Sequence, residues 1–569
     1  MKKWLVLLLA LALVFTFAAC GATDEGGEEG GEEGGEAAAS DNTSFTFSLV
    51  SVPSIDPVMF DSSPCQIVDK MFMEGLIRLN GQELNPGIAE SWEFNEDNTQ
   101  LTFHLRQDAV WSDGTPVTAN DFVYSFKRLA DPETAAPYSW VLGDFVVNAN
   151  AIMYGEDTNN DGEADSFMDP NELGVSAPDD YTFVIDFETP APFYLSFLDM
   201  PCFYPAREDL YEQYGKEYAT AADKMVCNGP FVVSEYSVDQ KLVLTKNDSY
   251  WNADAVKLTD VTCLIGVDTE AAQSMLQTGD LDMAETLATE TAASYIADPS
   301  LLGDGIVVDT FPPGAEDWWS INVSSTANPI LGNKDFRLAL NYGLDREQFI
   351  TITTDDLYEP ATRFVMPLVA GDDGLFVEQY PIEAEYPATA DLDKAKEYLQ
   401  SAMDAMGIKD PSEITIALKV ADSTPKLIAE NCQAQWTENL GINVNIETVT
   451  YKAMLADRRE GNFDLVYAGW IPDYNDPYTY LGYFMSSSYE NGGHWENADY
   501  DNNLIEGNKL SGAERMQMLA DAENILLEEG ALVPLQVRTK AYAYKEGFTD
   551  FVRYYMGGEL DITNAYWAE

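Results

Sequence analysis

Asp473 stands in the run Ala468-Gly469-Trp470-Ile471-Pro472-Asp473-Tyr474-Asn475-Asp476-Pro477. A lone carboxylate set among aromatic rings and turn-forming residues suits an organic ammonium group, such as the amino terminus of a peptide. The competing role is local: an aspartate also caps a turn such as Asp473-Tyr474-Asn475 without any ligand. A second constellation is Asp157-Thr158-Asn159-Asn160-Asp161-Gly162-Glu163-Ala164-Asp165. Asp157, Asn159, Asp161 and Asp165, with Glu163 beside Gly162, follow the first part of a calcium loop, in which oxygen ligands alternate around an invariant glycine. The closing bidentate glutamate is missing, because Met168 stands there and Asp169 is the nearest substitute. The loop is therefore read either as a structural calcium site or as an acidic glycine turn, and no other cofactor is expected.

Catalytic chemistry has little to work with. The two histidines, His104 and His494, are far apart, and no zinc cluster, phosphate-binding glycine loop or G-x-S-x-G elbow occurs. Six cysteines, at 20, 65, 202, 227, 263 and 432, form no C-x-x-C pair. A bridge between Cys202 and Cys227 is open, since an exported chain meets an oxidising compartment. A formal net charge of −66 excludes nucleic acid as a partner and favours neutral or cationic ligands.

The elements that position these residues begin after an export signal. Lys2 and Lys3 precede an apolar run from Trp4 to Phe17, and Phe17-Ala18-Ala19-Cys20-Gly21 places small residues before a cysteine. That layout is a cleaved signal over residues 1–19 with lipid attached at Cys20. The run is shorter than the roughly 20 residues of a membrane span. Residues 20–40, rich in Gly and Glu and free of large apolar groups, form a flexible tether with a reach on the order of 25 Å. The rest of the 569-residue chain has the length for several cores. Alternating patterns predict strands over 43–50, 101–106, 181–187 and 241–245. Helical spacing puts Ala395, Leu399, Ala402 and Met406 on one face, and a further helix spans 513–527. Ser112-Asp113-Gly114-Thr115-Pro116 reads as a turn, Thr118 to Asp121 as a capped helix start and Asn228-Gly229-Pro230 as a turn into a strand.

Several ordered motifs carry a resemblance. They are Glu74-Gly75-Leu76, Pro86-Gly87-Ile88-Ala89-Glu90-Ser91-Trp92, Trp111 to Phe122, Asn228-Gly229-Pro230-Phe231, Phe336-Arg337-Leu338-Ala339-Leu340 with Asp345-Arg346, and the run from Gly469 to Pro477. Together these resemble the family 5 extracellular solute-binding proteins, the peptide and nickel receptors of ABC importers. The resemblance implies a two-lobed, periplasmic-binding-protein-like α/β fold of the class II type, with an extra inserted domain and the ligand enclosed between the lobes. Projected onto this chain, domain I comprises 41–80, 190–312 and 536–569, domain II 81–189, and domain III 313–535.

It also implies a monomeric, lipid-anchored receptor on the outer face of the cytoplasmic membrane, or in a periplasm. Such a receptor binds oligopeptides as extended strands and delivers them to permease subunits. Asp473 falls on the position that pairs with a ligand's ammonium. Arg458 falls on a basic position that can meet the far carboxylate, unless it is simply a solvated surface arginine beside Arg459. Tyr451 and Trp140 would wall side-chain pockets, and Ala468, Gly469 and Trp470 would offer backbone groups. Asn341 and Tyr467 stand where related receptors can carry basic residues. The alternatives are a same-fold receptor for a dipeptide, nickel chelate or oligosaccharide, and a hydrolase of unrelated fold.

Overall fold

The computed structural model describes residues 42–80, 83–143, 145–155, 166–553, 555 and 560–569. Cys20 and the candidate calcium residues Asp157, Asn159, Asp161, Glu163 and Asp165 lie outside them. No helix among the described residues is long and apolar enough to cross a membrane.

The chain opens with β1 (Ser44–Leu49), followed by the hairpin β2 (Ile77–Asn80) and β3 (Glu83–Pro86). It then builds β4 (Ala89–Phe94), β5 (Gln100–Leu105), β6 (Val175–Asp179) and β7 (Thr182–Asp186). β8 (Phe231–Ser237), β9 (Lys241–Lys246), β10 (Asp260–Ile265), β11 (Met283–Ala284) and β12 (Ile306–Phe311) come next. Six strands follow: β13 (Glu316–Ile321), β14 (Glu359–Pro360), β15 (Thr415–Ala421), β16 (Asn443–Val449), β17 (Leu465–Trp470) and β18 (Leu532–Val537). Finally the chain adds β19 (Lys540–Lys545).

Three main sheets result. A seven-stranded sheet has the order β12-β19-β11-β1-β10-β9-β8, a six-stranded one β14-β18-β13-β17-β15-β16, and a four-stranded one β4-β5-β7-β6. The seven-stranded sheet thus draws on the beginning, the middle and the end of the chain. Gln536 and Val537, assigned to domain I by the projected boundary, instead finish β18, where they pair with Asp317 and Glu316 of β13.

Packing joins the sheets into two lobes. One continuous core runs from Phe45 and Phe47 of the seven-stranded sheet to Leu101, Phe103 and Phe183 of the four-stranded sheet. Separate cores built on Trp319 and Trp318 cover the two faces of the six-stranded sheet. The chain crosses between lobes from β12 to β13 and from β18 to β19. These crossings are tied together, since the Arg538 amide donates to the Ala315 carbonyl at 2.8 Å. The Arg538 guanidinium also grips the wholly buried Asp317, with Nη2 at 2.5 Å from Oδ1.

Local signals account for many elements. The Thr118 amide donates to the Asp121 carboxylate at 2.8 Å and so starts the helix Ala119–Ala130. The helix Leu392–Met406 is capped by Asp391 and stops at Gly407, whose φ of 72° suits a residue without Cβ. Ala395, Leu399 and Ala402 are buried, but Met406 is 42 % exposed, because the helix has left the core by its last residue; Met403 packs inward instead. Asn228 brackets Glu74, donating to its carbonyl and accepting from its amide, before Phe231 opens β8. Cys202 and Cys227 are both buried and free, so the bridge considered between them is not formed.

Candidate functional site

A cavity of about 1290 Å³ lies between the lobes. One wall is the segment Gly469 to Tyr474, which leaves the end of β17. Another is the loop and helix start from Phe60 to Ile67, and a third carries Tyr138 and Trp140 of the four-stranded domain. Such a volume, closed by aromatic rings with a few polar groups, is what a small-molecule or peptide site requires.

Asp473 faces this cavity. Its Oδ1 accepts a hydrogen bond from the Tyr138 hydroxyl at 3.0 Å. The Tyr138 ring packs on Phe60 at 4.4 Å and lies 5.8 Å from Trp140. Three regions of the chain therefore converge on one carboxylate. Burial pushes the Asp473 carboxyl up to about 6, and only the Tyr138 hydroxyl opposes it. Among the described residues no cation is bonded to Asp473. A carboxylate desolvated this way gains most from a positive charge brought in by a ligand.

The segment is fixed from below. Tyr474 leaves its own lobe and stacks on Phe197 of the other at 3.9 Å. Asp476 is held by both terminal nitrogens of Arg515, at 2.6 and 2.8 Å, and its Oδ1 also accepts from the Tyr478 amide at 2.9 Å. Asp473 is thus presented on a braced loop rather than by capping its own turn.

The other expected residues divide. Trp470 and Trp140 line the cavity, and the Trp470 indole donates to Thr479 at 3.2 Å. Gly469 also lines it, but a Cβ there would meet Asp317 Oδ1 at 2.4 Å and Arg538 Nη2 at 2.7 Å, so the tie between the lobes demands this glycine. Ala468 is buried opposite Trp318 in the sheet and does not line the cavity. Arg458 is ion-paired with Glu490, whereas the neighbouring Arg459 lines the cavity and lies 4.8 Å over the exposed Tyr489 ring. Tyr451, on the first turn of the helix Tyr451–Glu460, is 57 % exposed and away from the cavity. Asn341 is enclosed, donating to the Leu532 carbonyl at 2.9 Å and accepting from Arg346 at 3.0 Å. Tyr467 packs edge-on against Trp319 at 5.8 Å on the core side of β17.

Sequence reasoning missed Tyr138, the side-chain hydrogen-bond partner of Asp473 among the described residues, because 335 residues separate them. It also missed Phe60 and Asp61. The signal for Tyr138 was slight: its loop, Pro137-Tyr138-Ser139-Trp140, carries two aromatic rings.

Comparison with known proteins is consistent with this architecture. The profile of the bacterial extracellular solute-binding proteins, family 5 (middle), matches residues 83–492. The dipeptide-binding protein DppE of Bacillus subtilis is 28 % identical over 96 % of this chain and 96 % of its own length. The periplasmic oligopeptide-binding protein OppA of Salmonella typhimurium is 30 % identical over 87 % of each chain. Among solved structures, the murein tripeptide-binding protein MppA of Escherichia coli in its unliganded open form superimposes with a TM-score of 0.76 at 27 % identity, covering 94 % of this chain and 99 % of that one.

Proposed function

The chain belongs to the family 5 bacterial extracellular solute-binding proteins, and from that premise we propose that it is an oligopeptide receptor of an ABC importer. Proteins of this family are receptors rather than enzymes, and the two-lobed class II fold is theirs. The observation that carries the peptide reading is Asp473, a partly desolvated carboxylate facing a cavity large enough for several residues. Relatives named for dipeptides and oligopeptides support it. The peptide lies extended, its ammonium on Asp473 and its rings and aliphatic groups against Trp470 and Trp140. Arg458 reaches the ligand's carboxylate only by leaving Glu490, so this end of the peptide is held less firmly than the other.

The same reading divides the chain into three domains, anchors the monomer outside the cytoplasmic membrane through lipid on Cys20, and gives the 157–165 loop a structural calcium ion. Cys20→Ser should release the protein from membranes, and calcium titration should lose its heat in Asp161→Ala. The central test is mass spectrometry of ligand carried through native purification, followed by calorimetry with that ligand. Peptides of several residues support the reading. A dipeptide, a nickel chelate or an oligosaccharide in their place overturns it in favour of another receptor on the same fold.

A further inference from the structure

Charges around the cavity are unevenly matched. Glu490 is paired with Arg458, and Glu285 with Arg553 at 3.1 Å. Asp61 lines the cavity as well and is exposed to it. Among the described residues its bond partner is the Cys65 thiol, whose Sγ lies 3.7 Å from Oδ1, too weak a donor to neutralise a charge. The helix Ser63–Phe72 begins two residues later. Phe60, next to Asp61, packs on the Tyr138 ring, and the Tyr138 hydroxyl bonds Asp473. Both carboxylates therefore lie on the Tyr138 side of the cavity; burial raises the Tyr138 phenol, and Asp473 and, to a smaller extent, Asp61 push it in the same direction.

A peptide brings one ammonium to Asp473. Arg459 and Lys540 also line the cavity, but among the described residues neither is bonded to Asp61, so a neutral side chain leaves Asp61 without a paired cation in a space that loses water when ligand fills it. We propose that Asp61 makes this site selective for peptides with a second positive charge, a lysine or arginine side chain on the first or second residue. The inference rests on the peptide reading above. In an extended strand successive residues advance by about 3.3 Å, so the flexible stem of such a side chain spans from the Asp473 anchor toward the Phe60 loop. The chain's overall charge of −66 works in the same direction, drawing in cationic ligands and repelling anionic ones.

The test is calorimetry on the full chain with tetraalanine, Lys-Ala-Ala-Ala and Ala-Lys-Ala-Ala, repeated with Asp61→Asn. Asp61 is exposed, so the substitution does not threaten the fold. The better lysine peptide should bind about three- to tenfold tighter than tetraalanine at low salt. That ratio should fall toward one in Asp61→Asn, and also in the unaltered protein at about 0.5 M salt, where charges are screened within a few ångströms. Tetraalanine binding with no lysine preference overturns the selectivity while the receptor reading stands. A preference that survives in Asp61→Asn overturns the assignment to Asp61. No binding of any of the peptides overturns both readings.

Discussion

At the scale of single residues, peptide affinity should turn on Asp473. Removing its charge with Asp473→Asn should strand the ligand's ammonium and cost roughly 2–5 kcal/mol, or about thirty-fold to several thousand-fold in affinity. Acetylating the peptide removes the same pair from the other side. The two losses should overlap rather than add, which a double-mutant cycle measures as strong coupling; full additivity would mean that the ammonium binds elsewhere. Since the free carboxyl titrates near 6, affinity should fall as pH drops below that value. It should fall again above about 8, where the peptide's amino group loses its proton. Stability runs the other way. The folded value lies above the ordinary aspartate value of 3.8, so the ligand-free protein loses stability as pH rises from about 4 to 6 and does not regain it above. Asp473→Asn keeps an oxygen for the Tyr138 hydroxyl and removes that cost. Its ligand-free melting temperature at pH 7 should therefore exceed that of the unaltered protein, even as peptide binding weakens. A lower melting temperature would show that the carboxylate already has a compensating partner.

Among the elements, the two crossings between lobes decide how the cavity can change shape. Gly314 lies in the first crossing with φ of 72°, and a Cβ there would meet the Tyr555 carbonyl at 2.6 Å and the Pro472 ring at 2.8 Å. Gly314→Ala should cost about 2–4 kcal/mol through strain and displacement of the Pro472 segment that carries Asp473. Arg538→Ala in the second crossing leaves Asp317 buried without a cation, with the Gln536 amide 2.7 Å away and the Tyr467 hydroxyl as neutral side-chain donors. Because Arg538 is 34 % exposed, the loss should be about 2–3 kcal/mol, below that of a fully enclosed pair. Denaturant unfolding checks both, and a change under about 0.5 kcal/mol in either would remove the crossing from the list of stabilising ties. Individual elements were legible because their signals are local. The alternation in 101–106, the turn at Gly114, the Thr118–Asp121 cap and the helix ending at Met406 each depend on neighbours in sequence. Pairing was not legible: β1 joins β10 through Ser44 opposite Asp260, and nothing within either strand names the other. The site divides on the same principle. Asp473 and Trp470 leave the end of β17 together, whereas Tyr451 and Asn341 on helices and Tyr467 on β17 end up facing solvent or core, because helix packing and sheet register are set by residues distant in sequence.

For the molecule as a whole, two lobes joined by two short crossings form a device that a ligand can close. Each lobe has its own sheet and core, and the cavity between them is lined from both sides. The present arrangement superimposes on an unliganded open relative. Tyr474 stacked on Phe197 and Arg538 on Asp317 tie the lobes together. A ligand that touches both walls binds the closed arrangement better than the open one, and the equilibrium shifts by that difference in affinity. Small-angle scattering should then show the radius of gyration falling on addition of saturating peptide. The effect should be lost with acetylated peptide at the same concentration, because the Asp473 contact no longer supports occupancy. Gly314→Ala offers a second reading of the same motion: by stiffening the crossing it should reduce the compaction at full saturation, as verified by calorimetry on the same sample. An unchanged radius in the unaltered protein at saturation would mean that peptide binds without closure, and the crossings would then act as fixed struts rather than as hinges.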